Sequence, residues 1–449
     1  VDSLFIKTHL EKEKLSVNSN WFTNDKELIN LHANIPFRLG DPNEIEEEFF
    51  ERPVQVDITV PNLSLLEYSS LIDSLGYGSV YGTITAGLKI RGKADSPKLN
   101  AFIFADTLQL ANVLIDSIRT YYQFEAKDQM VSAEGKIYSL NRKVADFIGS
   151  IPLHLNYRTG DLSLPQKDES FNARILTDKF DINAFNDFFD NYKVNNINGL
   201  LTIDAGLQGE IQKPYFDGTI ELNKGNIELI EKGIILRDIE TKLDFTNEFV
   251  NLSKLNLKSN SGTFDMKGSI FYDRFEIKNS QIDITAKNFQ LVNTRNLKLQ
   301  SNAALKLRGN PDNFQLTGKI GLKKSDIYLE NFGEKTIEDV YLDEHEVDHE
   351  YLLNMYNNLT AQVKVSVERD VWVRNREYPE LNVELSGTSD LIKNKNEDFQ
   401  IFGKFDTRRG YTKQFSKRFN LDSGSFTFSG DPKNPEMNIE TSYELRKPK

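Results

Sequence analysis

Apolar and polar residues alternate along most of this chain. Ile84, Ala86, Leu88 and Ile90 are interleaved with Thr83, Thr85, Lys89 and Arg91. Phe216, Gly218, Ile220 and Leu222 are interleaved with Asp217, Thr219 and Glu221. The same beat runs through Ile282, Ile284 and Ala286 and through Val363, Val365 and Val367. A period of two places one apolar and one polar face on a strand.

The beat is itself repeated. GTITAGLKIRG ends at Gly92 with Pro97 after it, and GLLTIDAGLQG ends at Gly209 with Pro214 after it; both pairs are 117 residues apart. Ile35-Pro36 matches Ile151-Pro152 at an offset of 116. A third copy, SNAALKLRG, ends at Gly309, and Gly218, Ile220, Leu222, Ile227 and Leu229 recur as Gly318, Ile320, Leu322, Ile327 and Leu329, all 100 residues on. A constant offset over so many positions marks an internal repeat. Two segments leave the strand rhythm. Leu65, Leu66, Tyr68, Leu71, Ile72 and Leu75, and likewise Ile182, Phe185, Phe188, Phe189 and Tyr192, fall at three- and four-residue spacing, which predicts short amphipathic helices; these can cap the groove, contact a membrane surface or plug a repeat end, and capping is preferred because an apolar face lies beside them to cover. The acidic run 334–358 interrupts the third copy and reads as an inserted helical or mobile segment. The expected organisation is repeating β units over 1–333, the acidic insertion over 334–358 and a distinct C-terminal region over 359–449.

Two architectures suit such strands. Apolar faces can pair to fill a sandwich or solenoid core, or one long sheet can curl so that its apolar face lines a groove. Ala86, Ala101, Ala205, Ala303, Gly218 and Gly318 on the apolar face fit close packing or an unfilled trough equally. Composition narrows the function. The 449 residues carry 55 Lys and Arg against 67 Asp and Glu, a net charge of -12, which argues against a nucleic-acid partner. With no cysteine there are no disulfides, thiolate metal sites or cysteine nucleophiles. No apolar run reaches the roughly 18 residues of a membrane-spanning helix.

The stretch from Gly403 to Tyr443 changes the balance. Arg409-Gly410-Tyr411, Phe415, Phe419, Gly424, Phe426, Phe428, Gly430, Asn434-Pro435 and Met437 follow one another in a pattern that resembles the C-terminal core of the TamB family, although the tyrosine follows Gly410 without the family's spacer. Val363 to Gly387 resembles the strand pair that precedes that core, and the upstream repeats resemble the AsmA-like repeating β-groove more loosely. The resemblance implies an all-β fold: an elongated repeat array in which a single long curled β-sheet, a β-taco, encloses an apolar interior, with a few short amphipathic helices. It implies a bridge for phospholipid between inner and outer membranes, a part in outer-membrane biogenesis and protein assembly, and an outer-membrane barrel partner, TamA or a TamA-like lipoprotein. It implies a periplasmic protein of the Gram-negative envelope, held by an inner-membrane anchor outside this chain, needing no cofactor and no catalytic residue.

On this reading Ile84, Leu88, Ile90, Leu201, Ile203, Leu207, Ile220, Leu222, Ile320 and Leu322 line the lipid groove. Arg408, Arg409, Lys413, Lys417 and Arg418 form a basic cluster that either touches lipid headgroups or a partner, or is a solvated strand face. His345-Glu346-Val347-Asp348-His349 matches the H-E-x-x-H of zinc hydrolases, but acidic neighbours crowd it and no third histidine lies nearby, so it is read as an incidental match and not as a metal site. The alternative to a lipid conduit is a structural or adhesive extracellular β-repeat with a filled core.

Overall fold

The structure, a computed structural model, describes residues 2–38, 47–69, 80–110, 113–139, 141–156, 161–186, 194–273, 276–329, 349–376, 378–432 and 434–443. Among the described residues there are twenty-five strands, and 23 of them belong to one sheet. The expectation of an all-β chain with one long sheet and few short helices is met. The chain divides into two units, Val1–Phe189 with Leu201–Ile220, and Asp190–Leu200 with Glu221–Lys449.

The first unit holds β1 (Ser3–Glu11), β2 (Lys14–Thr23), β3 (Lys26–Pro36), the short α1 (Glu47–Phe50), β4 (Pro53–Ser64), β5 (Val80–Lys93), β6 (Ser96–Leu110), β7 (Val113–Glu125), β8 (Met130–Ser139), β9 (Arg142–Pro152), β10 (His154–Asn156), β11 (Asp161–Ser163) and β12 (Ser170–Asp181). Strands β13 (Val194–Glu210) and β14 (Lys213–Leu229) have residues in both units. From β1 to β9 each strand pairs antiparallel with the next, and β9 pairs with β12; β10 and β11 form a separate two-stranded ribbon. Tight turns set this meander. Lys12-Glu13 and Asn24-Asp25 both have positive φ at each central residue, the backbone twist that suits two-residue hairpins.

The second unit continues with β15 (Ile234–Phe245), β16 (Phe249–Ser259), β17 (Gly262–Asp273), β18 (Glu276–Asn293), β19 (Leu297–Asn310), β20 (Asn313–Tyr328), α2 (His349–Asn358), β21 (Leu359–Asn375), β22 (Glu380–Lys393), β23 (Gln400–Gln414), β24 (Lys417–Gly430) and β25 (Glu436–Ser442). Neighbours are again antiparallel, with one exception. β20 and β21 run parallel, Phe314 beside Leu359 and Tyr328 beside Arg374. Parallel neighbours need a crossover of a dozen or more residues. The chain from 329 to 358 supplies it, so the acidic segment, most of which lies outside the described residues, connects two strands that must start at the same end.

The repeats read from the sequence are hairpins. Gly92, Gly209 and Gly309 are each the last residue but one of β5, β13 and β19, just before the turn into the next strand, with φ of 111°, 109° and 109°. A charged clamp recurs on the polar face. Arg91 reaches Asp57 at 2.6 Å and Arg308 reaches Asp283 at 2.6 Å, and each guanidinium also donates to two backbone carbonyls, Val56 O and Ile90 O in one case, Ile282 O and Leu307 O in the other. The hydrogen bond from the arginine holds each aspartate below its ordinary pKa. A carboxyl with a depressed folded-state pKa stabilises the fold above its unfolded pKa, and that contribution is lost as pH falls through the folded value. NMR titration of Asp57 and Asp283 should therefore give midpoints under the usual value of about 3.9; midpoints at or above it would show that the clamps do not persist in solution.

Candidate functional site

Same-face apolar residues line up across neighbouring strands. In the first unit Val56, Ile90 and Leu99 stand in one row, Ile58, Leu88 and Ala101 in the next, and Leu63, Ile84 and Ala105 in a third. In the second unit Met266, Ile284 and Leu305 share one row, and Ala286, Ala303 and Ile320 another. Leu201 and Ile203 sit on β13 where the Thr177 hydroxyl of β12 bridges their backbone. All ten residues assigned to the groove from the sequence are half-buried, and Ile84 among them packs against the buried cluster of Leu65, Val80, Ala105 and Leu108.

The strands are not straight. Asn62 on β4, Thr107 on β6, Asn288 on β18, Lys324 on β20 and Asp370 on β21 have positive φ in mid-strand, and the register shifts beside each. An extra residue on one strand of a pair bends it and increases its twist. In each unit these bulges bend the strands that carry them and bring residues from either side of the bend onto one apolar patch. The core clusters record the bend. Ala105 and Leu108, on either side of Thr107, meet in one cluster with Leu65 and Val80. Val367 and Val373, on either side of Asp370, meet in another with Val383, Phe405 and Phe426. Leu65 opens the first of the two expected helices as a single tight turn, Leu65–Tyr68, and is buried on the apolar face as a cap would be. The second begins at Ile182–Phe185; the rest of both segments lies outside the described residues.

The polar face holds the bend from outside. Glu384 of β22 is 3% exposed. It accepts one hydrogen bond from the Asp370 N–H at 3.1 Å and one from Arg409 Nε at 2.5 Å, so one carboxylate ties the bend points of β21 and β23 to β22. Trp372 lies between Arg409 and Arg374, whose guanidinium carbons are 5.3 Å and 5.0 Å from the ring centre. Sequence reading missed Glu384 because an acidic residue in a charged strand looks solvated. Glu384→Ala should cost about 1–3 kcal/mol, since the Asp370 N–H and the Arg409 guanidinium lose their acceptors, and Glu384→Gln, whose single amide oxygen replaces two accepting oxygens, should recover only part of it. Chemical denaturation distinguishes the two, and equal stability of all three forms would show that the staple is unimportant.

The basic cluster is divided. Arg409 is bound to Glu384, and Lys413 to Glu380 at 3.0 Å. The Lys413 ammonium, with help from the Tyr411 hydroxyl, lowers the pKa of Glu380. Arg418 lies over the Tyr411 ring at 4.1 Å and Lys417 over Tyr443 at 5.2 Å. Arg408 sits exposed where the β22–β23 register shifts. Of the H-E-x-x-H match, 345–348 lie outside the described residues. Among the described residues no group of histidine and acidic side chains could hold a metal ion, and no helix is long and apolar enough to cross a membrane.

Residues 253–448 match the family model described as TamB C-terminal domain. Over 258 residues the chain is 19% identical to the translocation and assembly module subunit TamB of Haemophilus influenzae, an alignment covering 55% of this chain and 19% of that protein. The chain therefore spans about a fifth of that relative's length. No solved structure matches the chain significantly.

Proposed function

We propose, on the premise that residues 253–448 belong to the TamB C-terminal domain family, that this chain carries phospholipid acyl chains along its bent apolar face. In this reading it is part of a bridge between the inner and outer membranes of a Gram-negative envelope. It serves outer-membrane biogenesis and protein assembly as part of a translocation and assembly module. It works in the periplasm, held by an inner-membrane anchor outside this chain, and hands lipid to an outer-membrane barrel, TamA or a TamA-like lipoprotein. It is a carrier and not an enzyme.

The supporting observation is the half-burial of all ten groove residues. An acyl chain is stabilised by about 0.8 kcal/mol for each methylene taken out of water. A surface that is apolar, continuous across strands and not already filled offers that gain at every row. No single position is then a deep trap, so a chain can move from row to row. The acidic and basic side chains of the opposite face keep the sheet hydrated.

Lipid extraction and mass spectrometry of the purified chain test the proposal. Phospholipid should co-purify, and Leu207→Asp or Ile220→Arg should reduce it while the variants stay folded by circular dichroism. Folded variants that retain all their lipid, or a wild-type chain that carries none, would overturn the reading.

A further inference from the structure

The apolar face changes character within the second unit. On β17 to β20 the inward residues Met266, Ile282, Ile284, Leu305, Leu307 and Ile320 are half-buried and lie outside the core cluster of β21 to β25, while Ala286 and Phe289 beside the β18 bulge and Phe314 at the start of β20 are buried. Beyond β20 the face is packed. Val371 and Val383 are 0% exposed, Val363 1% and Phe426 2%. Residues from both sides of the bends meet there: Val365 and Val367 with Val373 on β21, Phe426 and Phe428 with Leu421 on β24. Side chains from both sides of the bends fill the inner face of β21 to β25. At the edge of this core a cavity of about 140 Å³ remains, lined in part by Leu381, Thr412, Met437 and Ile439. Pockets that enclose a drug-sized ligand begin at about 300 Å³.

We infer that the packed core of β21 to β25 is an end-stop in the apolar groove: an acyl chain lying on β17 to β20 cannot slide on over the filled inner face of β21 to β25, and enters or leaves over the open side of β17 to β20. This inference rests on the lipid-carrying reading. It refines it by locating the transfer point. Cores at native density have no room for an added chain, and interior side chains would have to be expelled to admit one.

The test is photocrosslinking of the unmodified chain with phospholipid vesicles that carry a diazirine at the acyl terminus, followed by peptide mass spectrometry. Adducts are expected on β17 to β20, around Ile284, Leu305 and Ile320, with none on Val371, Val383, Phe405 or Phe426. A Phe426→Ala variant that remains folded should open the stop and extend the adducts into β24 and β25. Adducts on the core residues of the wild-type chain, as abundant as those on β17 to β20, would overturn the end-stop and leave lipid binding intact. Adducts in neither region would overturn lipid binding itself, and the end-stop with it.

Discussion

Val383→Asp is expected to abolish the cooperative folding of the C-terminal core, while Ile320→Asp leaves it folded. Val383 is 0% exposed and packs with Leu385, Phe405 and Phe426. A carboxylate placed there has neither water nor a cationic partner, and burial of an unpaired charge belongs among the changes that cost more than about 4 kcal/mol. The group would escape only by taking up a proton or by unfolding its surroundings. Ile320 lies in the same sheet, in register with Val365 on β21, yet it is half-buried. There an aspartate can keep part of its hydration, so the cost is the lost apolar contact of one side chain, about 1–3 kcal/mol. Far-UV circular dichroism and urea denaturation of the two variants separate the outcomes. If both unfold, the face of β20 is a filled core like that of β22. If both fold, the packing around Val383 is looser than its zero exposure indicates.

The contrast between those two positions was not legible in the sequence. Val383 and Ile320 each sit in an apolar–polar alternation of the same strength, and periodicity reports which face a residue is on, not what stands opposite. What stands opposite depends on the bends. These did leave a trace that uniform alternation hides. The inward apolar residues of β4 run through even positions to Val60 and then jump to Leu63. Those of β6 run through odd positions to Ala105 and then jump to Leu108. Those of β18 run through Ile284 and Ala286 and then jump to Phe289. A switch of parity with no loop between is the mark of an inserted residue, and Asn62, Thr107 and Asn288 occupy the gaps. Asparagine tolerates positive φ better than most residues, which strengthens the signal at two of the three.

Other features read through more directly. The repeat offsets located the hairpins because each copy ends in a glycine whose turn has the same backbone angle. The ten residues assigned to the groove lie on β5, β13, β14 and β20 as the alternation predicts, because the strand period is short and needs no tertiary information. The parallel pairing of β20 with β21 could not be found that way. Its only trace is the 30-residue interval between two strands that otherwise continue the same alternation, and an interval of that length is also what a decorated hairpin would show. The staple at Glu384 was invisible because the groups its carboxylate binds, the Arg409 guanidinium and the Asp370 N–H, lie 25 and 14 residues away in sequence.

The largest effect at a repeat position is expected at Gly318 and at its counterpart 100 residues earlier, Gly218. Both lie in mid-strand with positive φ, 137° and 116°. A Cβ at Gly318 would stand 2.1 Å from the carbonyl oxygen of Ala304, and one at Gly218 2.0 Å from that of Asp204. These neighbours are backbone atoms of the adjacent strand, so no rotamer change relieves the contact; the strands must separate or the ladder must shift. Valine adds a second difficulty, because a β-branched residue at positive φ is a severe outlier. Strained backbone alone costs about 1–3 kcal/mol, and the broken pairing adds to it, so Gly218→Val and Gly318→Val should each lose about 4 kcal/mol or more. Thr317→Val, one residue away on the exposed face of the same strand, should change stability by no more than about 0.5 kcal/mol. Urea denaturation of the three variants reads the difference. A Gly318→Val chain as stable as the Thr317→Val control would mean that β19 and β20 are not held at this spacing, and that the bend they share with β18 is set elsewhere.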